Sequence, residues 1–234
     1  MKLSGIQRFT LLDYPDKVAC IVFTPGCQFR CGYCHNPEFV LPELLQEIKD
    51  SFIEEELFFR FLETRKGKLE GVVISGGEPT MMADLLPFMR KIKERGFFLK
   101  LDTNGNRSEV IAQLLKEQLV DYIAMDVKTA LSHYTTLVGK RVKETQISKS
   151  IQLLKQSTIP YEFRTTLIKE VHTNVILENM ASILQGAERL FLQEFRPGKT
   201  LNPLFASYHP FSTQEMMGIA QIFFEKKVKK VIIR

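Results

Sequence analysis

The sequence predicts an α/β fold built on a largely parallel sheet. Short runs rich in Val, Ile and Phe alternate with longer amphipathic segments along its 234 residues, and that alternation is the mark of βα units. The short runs are also too uniformly apolar to leave one face in water, as a sheet covered by helices requires. Composition agrees with a folded globular chain: 44% hydrophobic and 25% charged residues, with no low-complexity tract. The pattern by itself leaves two arrangements open, a doubly wound sheet or an incomplete barrel.

Taken in order, residues 5–17 read as an N-terminal strand that turns at "DYPDK", where Pro15 between Asp13 and Asp16 favours a tight turn. "VACIVF" (18–23) is the first core strand, followed by a helix over 43–64. "GVVIS" (71–75), "FFLKL" (97–101) and "YIAMDV" (122–127) are the next strands, with helices over 81–95 and 107–118 between them. "YEFRTTL" (161–167) and "RLFLQEF" (189–195) follow helices over 144–156 and 173–185, and a last helix spans 212–226. Each helix shows apolar residues at three- and four-residue spacing. The final "VKKVIIR" can add an edge strand. No linker interrupts the series, so one domain is expected over 1–234: an N-terminal extension 1–17, a core 18–226 and a terminal strand 227–234.

Charge excludes some partners. Thirty-two basic side chains face 27 acidic ones, and the only dense basic run is Lys226-Lys227 with Lys229-Lys230. A nucleic-acid footprint needs more than that, and these lysines read as the solvated face of a terminal edge strand. The uncharged run from Val18 to Phe29 contains Pro25 and Gly26, so neither a signal peptide nor a membrane span is expected. A cytoplasmic protein follows, and in a reducing compartment clustered cysteines are metal ligands or redox groups before they are disulfides.

In parallel β/α folds functional groups gather at the carboxyl ends of strands. The six expected strands end in a cysteine loop, "GGEP" (76–79), "DTNGN" (102–106), "MDVK" (125–128), "FRTTL" (163–167) and "QEFRP" (193–197). Each has a structural alternative. "GGEP" can be a strand-to-helix turn, with glycines for positive φ, or a cradle where backbone approaches a ligand and Glu78 meets an ammonium group. "DTNG" is a common turn sequence as well as a loop that could lie beside a ligand. Asp126 and Lys128, two apart, project to one side. Arg164 interrupts a buried strand, and its guanidinium needs an internal carboxylate or an anionic ligand.

The cysteine loop, "PGCQFRCGYCHNPE", places Cys27, Cys31 and Cys34 within eight positions, with Gly26 and Gly32 supplying the bends. A structural zinc needs four ligands and would have to recruit His35. A cluster that only transfers electrons generally uses four protein ligands. The remaining cysteine, Cys20, sits in the apolar "VACIVF" and reads as a small core hydrophobe. A 4Fe-4S cluster on three thiolates would leave one iron open for chemistry. Phe29, Tyr33 and Phe39 could shield such a cluster or belong to the core.

"CQFRCGYC" resembles the CxxxCxxC signature of the radical S-adenosylmethionine (SAM) superfamily, and "GGEP" at the end of the next strand matches its second motif in type and order. The resemblance implies a partial (β/α)6 barrel of the TIM type, a 4Fe-4S cluster on Cys27, Cys31 and Cys34, and SAM chelating the open iron. More narrowly, "YCHNPE", "SGGEPT", "DTNG", "MDVK" and "RTTL" are similar to glycyl-radical-enzyme activases. "GIQRFTLLDYPDK" resembles the longer type that activates anaerobic ribonucleotide reductase. That likeness implies that Gly76, Gly77 and Glu78 hold the methionine ammonium, that Asn104 lies near the ribose and that Tyr33 lines the adenine side. It further implies that Asp102, Asp126, Lys128 and Arg164 surround the methionine carboxylate, directly or through a cation. The segment after strand five, "LIKEVHTNVILEN", departs from the superfamily's glycine-rich adenine motif. The implied partners are a glycyl-radical enzyme and a reductant such as flavodoxin or ferredoxin, with neither nucleic acid nor membrane. Two alternatives stand beside this: a radical SAM enzyme acting on a small molecule, similar to 7-carboxy-7-deazaguanine synthase, and a non-catalytic iron-sulfur or zinc protein.

Overall fold

The computed structural model describes residues 1–234. Eight strands form one sheet in the order β1-β2-β3-β4-β5-β6-β7-β8. They are β1 (Gly5–Thr10), β2 (Ala19–Thr24), β3 (Gly71–Gly76), β4 (Phe98–Thr103), β5 (Tyr122–Asp126), β6 (Tyr161–Leu167), β7 (Leu190–Glu194) and β8 (Val231–Ile233). β1 runs antiparallel to β2, whereas β2–β3, β3–β4, β6–β7 and β7–β8 are parallel. The order never reverses, as it would in a doubly wound sheet. Right-handed crossovers that always advance one place in the same direction set their helices on one face of the sheet. The order itself thus decides between the two arrangements the sequence pattern leaves open.

The helices are α1 (Pro42–Ile48), α2 (Glu55–Glu63), α3 (Leu85–Lys93), α4 (Ser108–Lys116), α5 (Tyr134–Val138), α6 (Glu144–Gln156), α7 (Asn174–Ile183) and α8 (Thr213–Glu225). No helix is long and apolar enough to cross a membrane. One expectation fails: the single helix over 43–64 is broken into α1 and α2. The cause is long-range. Leu3 and Ile53 exchange both backbone hydrogen bonds, at 3.0 and 2.8 Å, so an isolated antiparallel bridge outweighs local helix preference there. α5 is an addition, anchored by the fully buried Tyr134. The C-terminal lysines are a second correction: Lys226, Lys227, Lys229 and Lys230 occupy the turn between α8 and β8, with Lys227 at φ 62°, and the strand is Val231–Ile233 alone.

Contacts divide the chain into two interleaved compact units. The first comprises Met1–Gln28, Pro37–Thr103 and Glu109–Ile123. Its core includes Leu62, Val72, Val73, Ile74, Leu85 and Ile92, all fully buried. α2 meets α3 there through aromatic rings, Phe58 and Phe59 lying 5.5 and 5.4 Å from Phe88. β4 carries the exception to an apolar interior: Lys100 is 2% exposed and its ammonium is paired with Asp102, two residues along the same face. Unpaired, that charge would cost several kcal/mol.

The second unit comprises Phe29–Asn36, Asn104–Ser108 and Ala124–Arg234. Phe163, Leu154, Met180, Leu190 and Phe223 are fully buried in it. α8 starts at a capping box: Glu215 N–H donates to Ser212 Oγ at 3.3 Å, and Ser212 N–H to Glu215 Oε2 at 2.7 Å. This satisfies two of the amides a helix start leaves open. Midway along α8, Gly218 is exposed with nothing within 4 Å of where a Cβ would stand. Gly218→Ala should therefore stabilise the protein by about 0.5–1 kcal/mol, read as a higher melting temperature. A lower one would show that α8 is not the regular helix described.

Candidate functional site

The loop after β2 turns at Gly26, whose φ of 85° is in the glycine region. None of Cys27, Cys31 and Cys34 is in a disulfide; Cys31 is buried and the other two are half-buried. Within the second unit the loop is tied down by backbone bonds. Arg30 N–H donates to the Val138 carbonyl at 2.8 Å, Leu201 N–H to that of Cys34 at 2.9 Å, and Asn202 N–H to that of Gly32 at 2.9 Å. Gly32 does supply a bend: it lies in the turn that the Cys34 N–H closes on the Cys31 carbonyl at 3.0 Å. A Cβ there would sit 2.1 Å from the Phe205 ring, so the glycine is required by close packing.

Burial pushes the Cys31 thiol up to about 11, with the Lys128 charge pulling the other way. Cys20, the second residue of β2, is fully buried and pushed up to about 12 by burial, which fits an inert core thiol. His35 Nε2 lies 2.8 Å from the Arg196 carbonyl, which makes that nitrogen a donor. No three His, Cys, Asp or Glu side chains converge as a single metal ion would require. Three thiolates of a 4Fe-4S cluster bind three separate irons and need no such convergence. The residues present, three unbridged thiols at four-then-three spacing with a fourth cysteine sealed in the core, fit that group.

The carboxyl ends of β2, β3 and β4 meet in the first unit. Gly76 has φ 110°, and a Cβ on it would stand 2.3 Å from Thr24 N; one on Gly77 would stand 2.1 Å from the Gly26 carbonyl oxygen. Gly77 N–H donates to the Thr24 carbonyl and Glu78 N–H to the Gly26 carbonyl, each at 2.8 Å. The two glycines thus seat the end of β3 against the loop that begins the cysteine segment, a role that sequence reasoning could not separate from ligand approach. Glu78 is 1% exposed, and its Oε1 accepts from Thr80 N–H (3.1 Å), Thr80 Oγ1 and Thr103 Oγ1 (2.7 Å). Asp102 accepts from Ser75 Oγ at 3.0 Å besides pairing with Lys100. Hydrogen bonds from several donors hold both carboxylates in place.

The corresponding cluster of the second unit centres on Asp126 at the end of β5. Its Oδ1 accepts from Arg164 Nε at 3.0 Å and its Oδ2 from Lys128 Nζ at 2.9 Å. Burial alone would raise its pKa, but Arg164 and Lys128 outweigh that and hold it at about 2. Arg164 thus has the internal carboxylate its position calls for. Lys128 Nζ lies 5.8 Å from the centroid of the Tyr33 ring. Tyr33 is 6% exposed, and its hydroxyl has no hydrogen-bond partner. A buried hydroxyl left unpartnered costs about 1–3 kcal/mol, and a bound polar molecule would remove that cost.

Asn104 closes an Asx turn, its Oδ1 accepting from Asn106 N–H at 3.0 Å. Gly105, at φ 75°, packs against Met125, where a Cβ would collide at 2.0 Å. Sequence reasoning missed Asn106, a buried clamp that accepts from Lys143 N–H at 2.7 Å and donates to the Arg141 carbonyl at 3.2 Å. It also missed Tyr134 and His172, whose partners lie elsewhere in the chain. Only the turn sequence "DTNGN" hinted at Asn106.

A model of the Radical SAM superfamily matches residues 21–178. Over 242 aligned residues the chain is 34% identical to a Methanocaldococcus jannaschii protein provisionally named a glycyl-radical enzyme activating enzyme, covering 99% of this chain and 95% of that one. It is 30% identical over 137 residues to the pyruvate formate-lyase-activating enzyme of Clostridium pasteurianum, covering 54% of this chain and 52% of that one. The fold is shared with the crystal structure of QueE from Escherichia coli: TM-score 0.58, 13% identity, 100% of this chain and 93% of that one covered.

The close approach at Gly77 gives a test. Gly77→Ala drives a Cβ into the Gly26 backbone and should cost about 3 kcal/mol or more, seen as a clear fall in melting temperature. An unchanged melting temperature would mean that β3 is not seated against the Gly26 loop in this way.

Proposed function

The chain belongs to the radical SAM superfamily, and from that premise we propose that it activates a glycyl-radical enzyme, an anaerobic ribonucleotide reductase, by removing a hydrogen atom from a glycine Cα. The observation that carries the activase reading is the 34% identity to a provisionally named activating enzyme over nearly the full length of both chains. Identity to QueE is 13%, a likeness that extends to the fold alone. The choice of ribonucleotide reductase rests on "GIQRFTLLDYPDK", which resembles the longer activases.

The enzyme uses a 4Fe-4S cluster and SAM. Cys27, Cys31 and Cys34 would hold the cluster, whose chemistry when bound and reduced is to supply the one electron that splits SAM into methionine and a 5′-deoxyadenosyl radical. The hydrogen that this radical takes leaves 5′-deoxyadenosine and a glycyl radical on the partner. Everything else falls to this chain's side chains. Gly76, Gly77 and Glu78 would receive the methionine ammonium, Glu78 being already aimed by Thr80 and Thr103. Asp102, Asp126, Lys128 and Arg164 would surround the methionine carboxylate, Asn104 the ribose, and Tyr33 the adenine side, where its buried hydroxyl lacks a partner. Fixed groups of this kind orient the reacting carbon and keep other hydrogen donors away from it. A flavodoxin or ferredoxin would deliver the electron.

Anaerobically reconstituted protein with dithionite should convert SAM to 5′-deoxyadenosine, whereas Cys31→Ala should lose both cluster and cleavage. Cleavage by that variant at the parent rate would remove the cluster assignment. With the host's anaerobic ribonucleotide reductase added, a stable glycyl radical should appear by electron paramagnetic resonance. If SAM is cleaved but no glycyl radical forms on any glycyl-radical enzyme of the host, the substrate is a small molecule instead. Cys20→Ser should leave iron per chain unchanged, since Cys20 is fully buried in β2; loss of iron would make it a ligand.

A further inference from the structure

β5 ends at Asp126, yet the two residues beyond it are held as firmly as any strand. The Val127 N–H donates to the Arg164 carbonyl at 2.8 Å, and its own carbonyl accepts from Thr165 Oγ1 at 2.8 Å. Lys128 N–H donates to the hydroxyl of Tyr134 at 3.0 Å, and the Lys128 carbonyl lies 3.0 Å from His172 Nε2. All four backbone polar groups are therefore committed, three of them to side chains rather than to a neighbouring strand. A surface loop would leave such groups to water; here Val127 and Thr129 are fully buried, and the partners come from the protein.

Both side chains holding Lys128 are sealed in the interior, Tyr134 at 0% and His172 at 1% exposed. The two ends of His172 have separate tasks. Nε2 faces a carbonyl and must donate; Nδ1 lies 3.0 Å from the Ile168 N–H, where it accepts, and farther, 3.2 Å, from the Ile168 carbonyl, which already accepts from the His172 N–H at 2.9 Å. That pattern selects one neutral tautomer, and burial lowers the pKa of the ring, which keeps it neutral. Tyr134 comes six residues after Lys128 and His172 comes 44 after it, so the peptide is gripped from two independent segments.

We infer that Tyr134 and His172 are positioning residues that fix the Lys128 peptide from both sides and thereby aim the Lys128 ammonium at the anionic end of the ligand. Lysine carries a long, freely rotating side chain, and its reach is set by where the Cα–Cβ bond points. With that bond fixed, the side chain sets out from one geometry, and its Nζ lies 2.9 Å from Asp126 Oδ2 and 5.8 Å from the Tyr33 ring centroid. Supporting contacts of this kind set how precisely a binding group is held. The inference rests on the proposed contact between Lys128 and the methionine carboxylate.

The test is a double-mutant cycle on cluster-loaded protein, with SAM affinity measured anaerobically by calorimetry. Tyr134→Phe and His172→Leu should each weaken SAM binding about tenfold, the effect of one lost hydrogen bond. His172→Gln, which keeps a donor and an acceptor, should retain most of the affinity. In a Lys128→Met background neither Tyr134→Phe nor His172→Leu should have any further effect, because the group they aim is gone. Amide hydrogen exchange at residues 127–130, measured without the cluster, should speed up in both. If Lys128→Met leaves SAM affinity unchanged, the proposed carboxylate contact fails. If Lys128→Met weakens binding but the other variants add to it in full, or Tyr134→Phe binds SAM like the parent, the positioning role is overturned while the contact stands. Should His172→Leu not fold, Tyr134→Phe, the removal of a single oxygen, still decides.

Discussion

The arrangement depends on a constraint of order: each parallel strand lies beside the one before it in the chain, and the direction of advance never changes. Neighbouring parallel strands then present their carboxyl ends at the same edge, and the loops leaving them crowd together. In the first unit that crowding is literal. The ends of β2 and β3 are so close that Gly76 and Gly77 have no room for a Cβ, and the peptide amides of Gly77 and Glu78 bond directly to the chain leaving β2. The position of Glu78, and with it the reach of the carboxylate, is a consequence of where the strands end.

A second constraint follows from the first. Strand ends that carry charge into a covered interior must find partners for it, since an isolated buried ion costs several kcal/mol. Each cluster solves this within its own unit. Lys100 pairs with Asp102, Glu78 collects hydroxyl and amide donors, and Asp126 takes Lys128 and Arg164 on its two oxygens. The result is fixed charge at low mobility. Groups already oriented need no reorganisation when a charged ligand arrives, which is what makes such sites effective.

Much of this was legible in the residues. Strand positions were readable because β-branched and aromatic runs are short and bounded, and each of the six expected core strands is present within two residues. The strand-end motifs could be located, since position at a strand end follows from the strand. What each group does there was less legible. Gly32 reads as a bend and is one, but its packing against Phe205 has no local signal, and the break between α1 and α2 depends on Leu3, some fifty residues away in sequence. His172 and Tyr134 carry no local signal because their partners, the two sides of one lysine peptide, are defined only by the folded chain. Long-range hydrogen bonds of single side chains are the layer that periodicity and turn chemistry do not reach.

Held by Cys27, Cys31 and Cys34 as proposed, the cluster would keep one iron for the methionine end of SAM. The most direct measurement is electron-nuclear double resonance on the reduced, cluster-loaded protein with SAM carrying nitrogen-15 in its methionine amino group. A nitrogen-15 coupling to the cluster, absent with unlabelled SAM, is expected. A tightly bound labelled SAM with no such coupling would contradict it, because the fourth ligand would then come from somewhere else.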